Sequence, residues 1–170
     1  MAPTNVMRKG LGVALLIFGL DQATKWWIVE SVMNPPRITP VTPFFNLVMG
    51  WNRGVSFGLF NQDSPYNVWI LSAIALIIVV ALAVWLRKAE RQLVVIAIGM
   101  VIGGAIGNVV DRLRFGAVAD FLDFHIAGYH WPAFNVADSG ITIGAGLLVL
   151  DALFSGPEKN NNKTPEITED

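Results

Sequence analysis

VWILSAIALIIVVALAVWL, residues 68–86, runs 19 residues without a charged side chain, and so does QLVVIAIGMVIGGAIGNVV, residues 92–110. A helix needs about 20 apolar residues to cross the hydrocarbon of a bilayer, so each stretch reads as a transmembrane helix. The short basic segment between them, with Arg87, Lys88 and Arg91, leaves room only for a tight turn. The composition agrees: 54% of residues are hydrophobic, 15% are charged and the mean hydropathy is +0.53, outside the range of an ordinary soluble domain of 170 residues. The chain is expected to be an integral membrane protein.

Working outward, residues 11–29 form a third candidate span, interrupted by Asp21 and Lys25, which stand four apart on one helical face and can neutralise each other. A cleaved signal peptide is the competing reading of this segment. Asp21 and Gln22 follow its apolar run directly, no small-x-small site appears, and Trp26 and Trp27 suit the point where a retained helix leaves the membrane. The fourth span begins near Ala137, with Asp138 in its first turn, and stays uncharged over residues 139–150. Basic residues before span one (Arg8, Lys9), between spans two and three, and after span four (Lys159, Lys163) place those regions in the cytoplasm. The connections at 30–67 and 111–136 then face outward, and both termini face inward.

The outer connections carry strand patterns. Four prolines (35, 36, 40 and 43) precede an apolar, aromatic run at 44–51. Residues 118–126 alternate, turn at Ala127 and Gly128, and continue as Tyr129 to Trp131, which reads as a hairpin. The expected fold is an all-α membrane protein of four transmembrane helices with a small extracytoplasmic β-sheet platform. It is one domain over residues 1–154, followed by a disordered cytoplasmic tail at 155–170 that is rich in Asn, Lys, Glu and Pro. Gly99, Gly103 and Gly107, and again Gly140 and Gly144, recur every four residues and predict close helix contact. That contact would bring Asn108, Asp111 and Asp138 together.

Elimination narrows the chemistry. A net charge of −1 without basic and aromatic interleaving argues against nucleic acid, and the absence of cysteine removes thiolate nucleophiles and thiolate metal sites. Neither an H-E-x-x-H pair nor a G-x-S-x-G elbow occurs. A serine-lysine pair would have to use Lys25, which already has Asp21 as a partner. His125 and His130 with Asp123 suggest interfacial side chains rather than a metal site, so no metal is expected. Two carboxylates held close remain: they cannot both ionise, so one acts as a base toward water while the other, protonated, hydrogen-bonds the attacked carbonyl. Asp138, in a helical first turn, is expected to be the more readily ionised member. Chemistry alone leaves Asp111, Asp120 and Asp123 open as its partner. Asp111 and Arg112 also read as an interfacial anchor at the end of span three, and Asn52 as a residue that satisfies a turn. The alternative class is a small proton-coupled or ion-conducting membrane protein, against which stand the crowding of acids at the outer end and the lack of repeated halves.

Four stretches taken in order, DQATK at 21–25, WNRGVSFG at 51–58, GGAIGNVVDRLRFGAVADFLDF at 103–124 and FNVADSG at 134–140, resemble the bacterial lipoprotein signal peptidases, signal peptidase II. The resemblance implies a four-helix aspartic peptidase of the bacterial inner (cytoplasmic) membrane with its site toward the outer face. It implies removal of signal peptides from prolipoproteins that already carry diacylglyceryl on the cysteine after the cleavage site, without a cofactor and by a monomer among membrane lipids. The family's catalytic pair falls on Asp120 and Asp138. Asp21, Lys25, Asn52, Gly54, Asn108, Asp111, Arg112 and Asn135 fall on motif positions implied to bind substrate or support the pair, and Asp123 falls on none. Ala119, where valine is common, is a small departure. Phe44, Phe45, Trp51 and Phe57 are expected to cover a bound lipidated chain from above.

Overall fold

The computed structural model describes residues 3–54 and 66–154. Phe57 and the tail at 155–170 therefore lie outside the described residues. Helix α1 (Pro3–Trp27) continues through one π-helical turn (Ile28–Val32) and is followed by strands β1 (Thr39–Thr42) and β2 (Phe45–Asn52). Helices α2 (Asn67–Leu86) and α3 (Gln92–Phe115), strands β3 (Val118–Ile126) and β4 (Tyr129–His130), and helix α4 (Val136–Phe154) complete the order. The molecule is mostly helical with one small antiparallel sheet, and among the described residues α2, α3 and α4 are long and apolar enough to cross a membrane. Helix α1 has the length, at 25 residues, but carries charges along it.

Helix α3 is the hub. Val94, Val95, Ile98 and Ile102 are buried in a core with Val6 and Ala14 of α1 and Leu86 of α2. Its bare glycines set the distances: a Cβ on Gly99 would lie 2.6 Å from the Gly10 oxygen, one on Gly103 would strike the Ala14 oxygen, and one on Gly104 would strike the Ala137 oxygen of α4. On α4, a Cβ on Gly144 would lie 2.7 Å from the Ala97 oxygen. Backbone-to-backbone approach is how helices gain dispersion contact where no water drives them together.

The third outer boundary differs from expectation. Helix α3 does not end at its first charges but runs to Phe115, so Asp111 and Arg112 belong to the helix rather than to the outer loop at 111–136. Charge ends an apolar stretch without stopping a helix; the stop is Gly116, at φ 71°, whose N–H closes on the Arg112 carbonyl at 3.0 Å. Two residues later β3 begins.

The sheet order is β1-β2-β3-β4. The β3-β4 hairpin turns through Ala127 and Gly128, both with positive φ, as a two-residue loop of this twist requires. The proline-bearing strand β1 was not anticipated; it lies at the sheet edge, the place in a sheet where proline is tolerated.

Candidate active site

Asp120 sits on β3, opposite Gly50 of β2, and is 3% exposed. A Cβ at Gly50 would stand 3.2 Å from the Asp120 carbonyl, so the bare residue lets β2 pass close. Asn52 faces Val118 across the ladder, and its amide nitrogen reaches diagonally to Asp120 Oδ2 at 3.0 Å. Its amide oxygen accepts from the Gly54 N–H at 3.1 Å, so Asn52 both shapes its turn and holds Asp120.

The lead-in to α4 is tied to the same strand. The N–H groups of Phe121 and Leu122 donate to the Phe134 carbonyl at 3.0 and 2.9 Å, and the Phe134 N–H returns to Leu122 at 3.1 Å. Asn135 is thereby laid beside Asp120. Its side-chain nitrogen donates to Asp120 Oδ1 at 2.7 Å and to the Ala119 carbonyl at 3.2 Å. Asn135 also starts helix α4: its side-chain oxygen accepts from the Asp138 N–H at 2.9 Å, while Asp138 Oδ2 accepts from the Asn135 N–H at 3.2 Å. This is a reciprocal capping box, built from Asn and Asp in place of the usual Ser or Thr and Glu. One wholly buried residue therefore bonds both carboxylates.

Asp138 Oδ1 accepts from Asn108 of α3 at 2.8 Å, and the Asn108 oxygen accepts from Lys25 at 3.0 Å. Lys25 Nζ lies 2.9 Å from Asp21 and 2.9 Å from Asp111. All three are buried, Asp111 at 1% exposure, so the reading of Asp111 as an interfacial anchor is wrong: the helix turns it inward toward α1. Gln22, not singled out from the sequence, donates to Asp111 Oδ1 and to Asp21 Oδ2, both at 3.1 Å. Its partner lies 89 positions away, beyond the reach of any local pattern. Half-buried Arg112 reaches the Gly54 carbonyl at 3.4 Å.

Burial pushes the Asp120 carboxyl up to about 7, and the neighbouring Asp138 charge adds to that. Hydrogen bonds from Asn52 and Asn135 and the charge of Lys25 pull the other way without cancelling the rise. Asp123 goes in the opposite direction. Burial raises it, but hydrogen bonds from Asn46 at 2.9 Å and from His130 at 2.8 Å leave it below the usual carboxylate range. Asp123 is thus occupied on the far face of the strand and does not meet Asp138.

An open groove of about 220 Å³ leads to Asp138 between α2, α3 and α4. Asn52, Asn108, Arg112 and Asp138 form its polar end, and Ile78, Val101 and Ile141 its apolar wall. Phe45 packs tilted against Phe124 with ring centroids 4.7 Å apart, and Trp51 against Phe115 at 5.3 Å, whereas Phe44 is exposed. The arrangement sets two carboxyl groups, that of Asp120 with a raised pKa, beside an apolar groove, a geometry suited to adding water to a carbonyl.

The family model described as signal peptidase (SPase) II matches residues 13–154. A protein named lipoprotein signal peptidase from Methylorubrum extorquens (strain PA1) is 42% identical over 156 residues, covering 90% of this chain and 90% of its own. One of the same name from Methylobacterium sp. (strain 4-46) is 46% identical over 147 residues, covering 86% and 89%. Among solved structures, a bacterial membrane enzyme determined by the in meso method at 2.3 Å superposes with a TM-score of 0.74 at 31% identity, covering 94% of each chain.

Proposed function

The chain belongs to the signal peptidase II family, and from that premise we propose that Asp120 and Asp138 are its catalytic pair, acting on prolipoproteins whose cysteine after the cleavage site carries diacylglyceryl. The observation that carries this reading is Asn135, bonded to Asp120 by its side chain and to Asp138 by its backbone, which ties the two carboxylates to one residue. Asp120, with its raised pKa, is the protonated member. Asp138 is the base, on a helical first turn whose dipole favours a negative charge.

Asp138 takes a proton from water as the water oxygen attacks the scissile carbonyl carbon, while Asp120 gives its proton to the carbonyl oxygen. The tetrahedral adduct collapses as the proton on Asp138 passes to the departing nitrogen, the C–N bond breaks, and a hydroxyl proton returns to Asp120. No covalent intermediate and no cofactor or metal is used. Asn52, Asn108 and Asn135 orient the carboxylates, and Gly54 and Arg112 border the substrate's path. Asp21, Lys25 and Asp111 support them from behind.

The apolar wall of the groove suits the lipid-bearing part of the substrate. Four helices, α1 included, would cross the bacterial inner membrane, with the termini in the cytoplasm and the sheet and site at the outer face. Residues 1–154 would be one domain, working as a monomer among membrane lipids.

The test is cleavage of a purified diacylglyceryl-modified prolipoprotein, with its unlipidated form alongside. Asp120→Asn and Asp138→Asn should each lower turnover at least about 100-fold in folded protein. Undiminished cleavage by either variant would overturn the pair, and equal cleavage of the unlipidated form would overturn the substrate.

A further inference from the structure

We infer that the buried Asp21, Lys25 and Asp111 triad is a positioning device that sets both members of the aspartate pair from behind, through the N–H groups of the residues that precede them. The inference rests on the two-aspartate reading above. Asp21 Oδ1 accepts from the Ala137 N–H at 2.9 Å, and Ala137 immediately precedes Asp138. Asp111 Oδ2 accepts from the Ala119 N–H at 3.2 Å, and Ala119 immediately precedes Asp120. Lys25 joins the two carboxylates, 2.9 Å from the other oxygen of Asp21, Oδ2, and 2.9 Å from Asp111 Oδ2, the same oxygen that takes the Ala119 N–H.

The lysine's third contact completes the frame. It donates to Asn108 Oδ1 at 3.0 Å, which turns the Asn108 amide so that its nitrogen points at Asp138 Oδ1, 2.8 Å away. An ammonium has three protons, and here there are three acceptors, one leading to β3 and two to the start of α4. Helix α3 is adapted to the approach: a Cβ on Gly107 would strike Asp21 Oδ2.

Stability alone is a poor explanation for this cluster. Asp21 is 0%, Lys25 4% and Asp111 1% exposed. Replacing such a buried ion cluster with well-packed apolar residues is often neutral or stabilising. A charged cluster does what apolar packing cannot: it fixes two backbone N–H vectors and one amide plane in direction as well as distance. A displacement on the order of 1 Å at reacting groups can lower a rate about 100-fold.

Asp21→Asn and Asp111→Asn keep an acceptor oxygen at similar size, and Asp111→Ala removes it. Each is measured as purified full-length enzyme on diacylglyceryl-modified prolipoprotein, with thermal unfolding recorded and Asp138→Asn as reference. The expected result is folded enzyme with turnover lowered at least about tenfold, KM within about twofold, and Asp111→Ala at least as impaired as Asp111→Asn. A smaller drop in turnover, a raised KM with turnover kept, an alanine variant better than its asparagine counterpart, or failure of both asparagine variants to fold each overturns the inference. An active Asp138→Asn would instead overturn the pair itself, so the two failures are distinct.

Discussion

Asp120 and Asp123 stand three apart on one strand and illustrate how environment divides chemically identical groups. Three positions along a strand put them on opposite faces. Asp120 faces Asp138 from α4, Asn52 from β2, Asn135 and the more distant Lys25 of α1, and is pushed up to about 7; Asp123 faces Asn46 and His130 and is held low. The sequence alone left both open as partners of Asp138, because alternation says which residues share a face but not which face meets α4. A pH dependence follows. If Asp120 must be protonated, turnover should fall as pH rises through about 7, by close to tenfold per unit above it. A pH-rate profile of kcat that stays flat from roughly 6 to 9 would refute that assignment of the proton. The stability sign is the same: the folded state keeps this proton at pH values where the unfolded chain has lost it, so the Asp120 contribution weakens as pH rises from 3.8 toward about 7.

At the scale of elements, glycine spacing predicted close helix contact, and the structure puts Gly99 and Gly103 against α1 and Gly104 and Gly144 between α3 and α4. Gly104 meets the Ala137 carbonyl on the turn that carries Asp138. Gly104→Ala should therefore cost about 1–3 kcal/mol of stability and lower turnover as well, because the overpacked atom pushes on that turn. Gly12→Ala is the counterpart: nothing lies within 4 Å of its new methyl, so thermal unfolding should be unchanged or slightly raised. Equal effects at the two positions would mean that the close approach does not matter. The apolar helices α2, α3 and α4, the β3-β4 hairpin and the start of α4 were legible because each is local: apolar length, alternation, turn residues. The end of α3 and strand β1 were not. Charged Asp111 looked like the end of a span although the helix-stopping glycine comes five residues later, and the prolines of the first outer connection masked an edge strand.

Across the whole molecule, the polar residues of the site gather at one end of the bundle, while Arg91 and Asp151 close the other, 2.7 Å apart between the start of α3 and the end of α4. Arg91 is more than half exposed, and exposed pairs contribute roughly 0–1 kcal/mol. Arg91→Gln should accordingly change stability by no more than about that and leave turnover within about twofold; a large loss of cleavage would show that the two ends are coupled. The frame of the site is far less local than this pair: Asp21 bonds a residue 116 positions later in the chain. Ribosomes make proteins from the N-terminus, so α1 exists well before α3 and α4 emerge. The four-residue spacing of Asp21 and Lys25 gives the lysine a counter-ion on its own helix throughout that interval. The first helix thus carries its charges through biogenesis as a self-neutralised couple, which exchanges solitude for a second carboxylate only when α3 arrives.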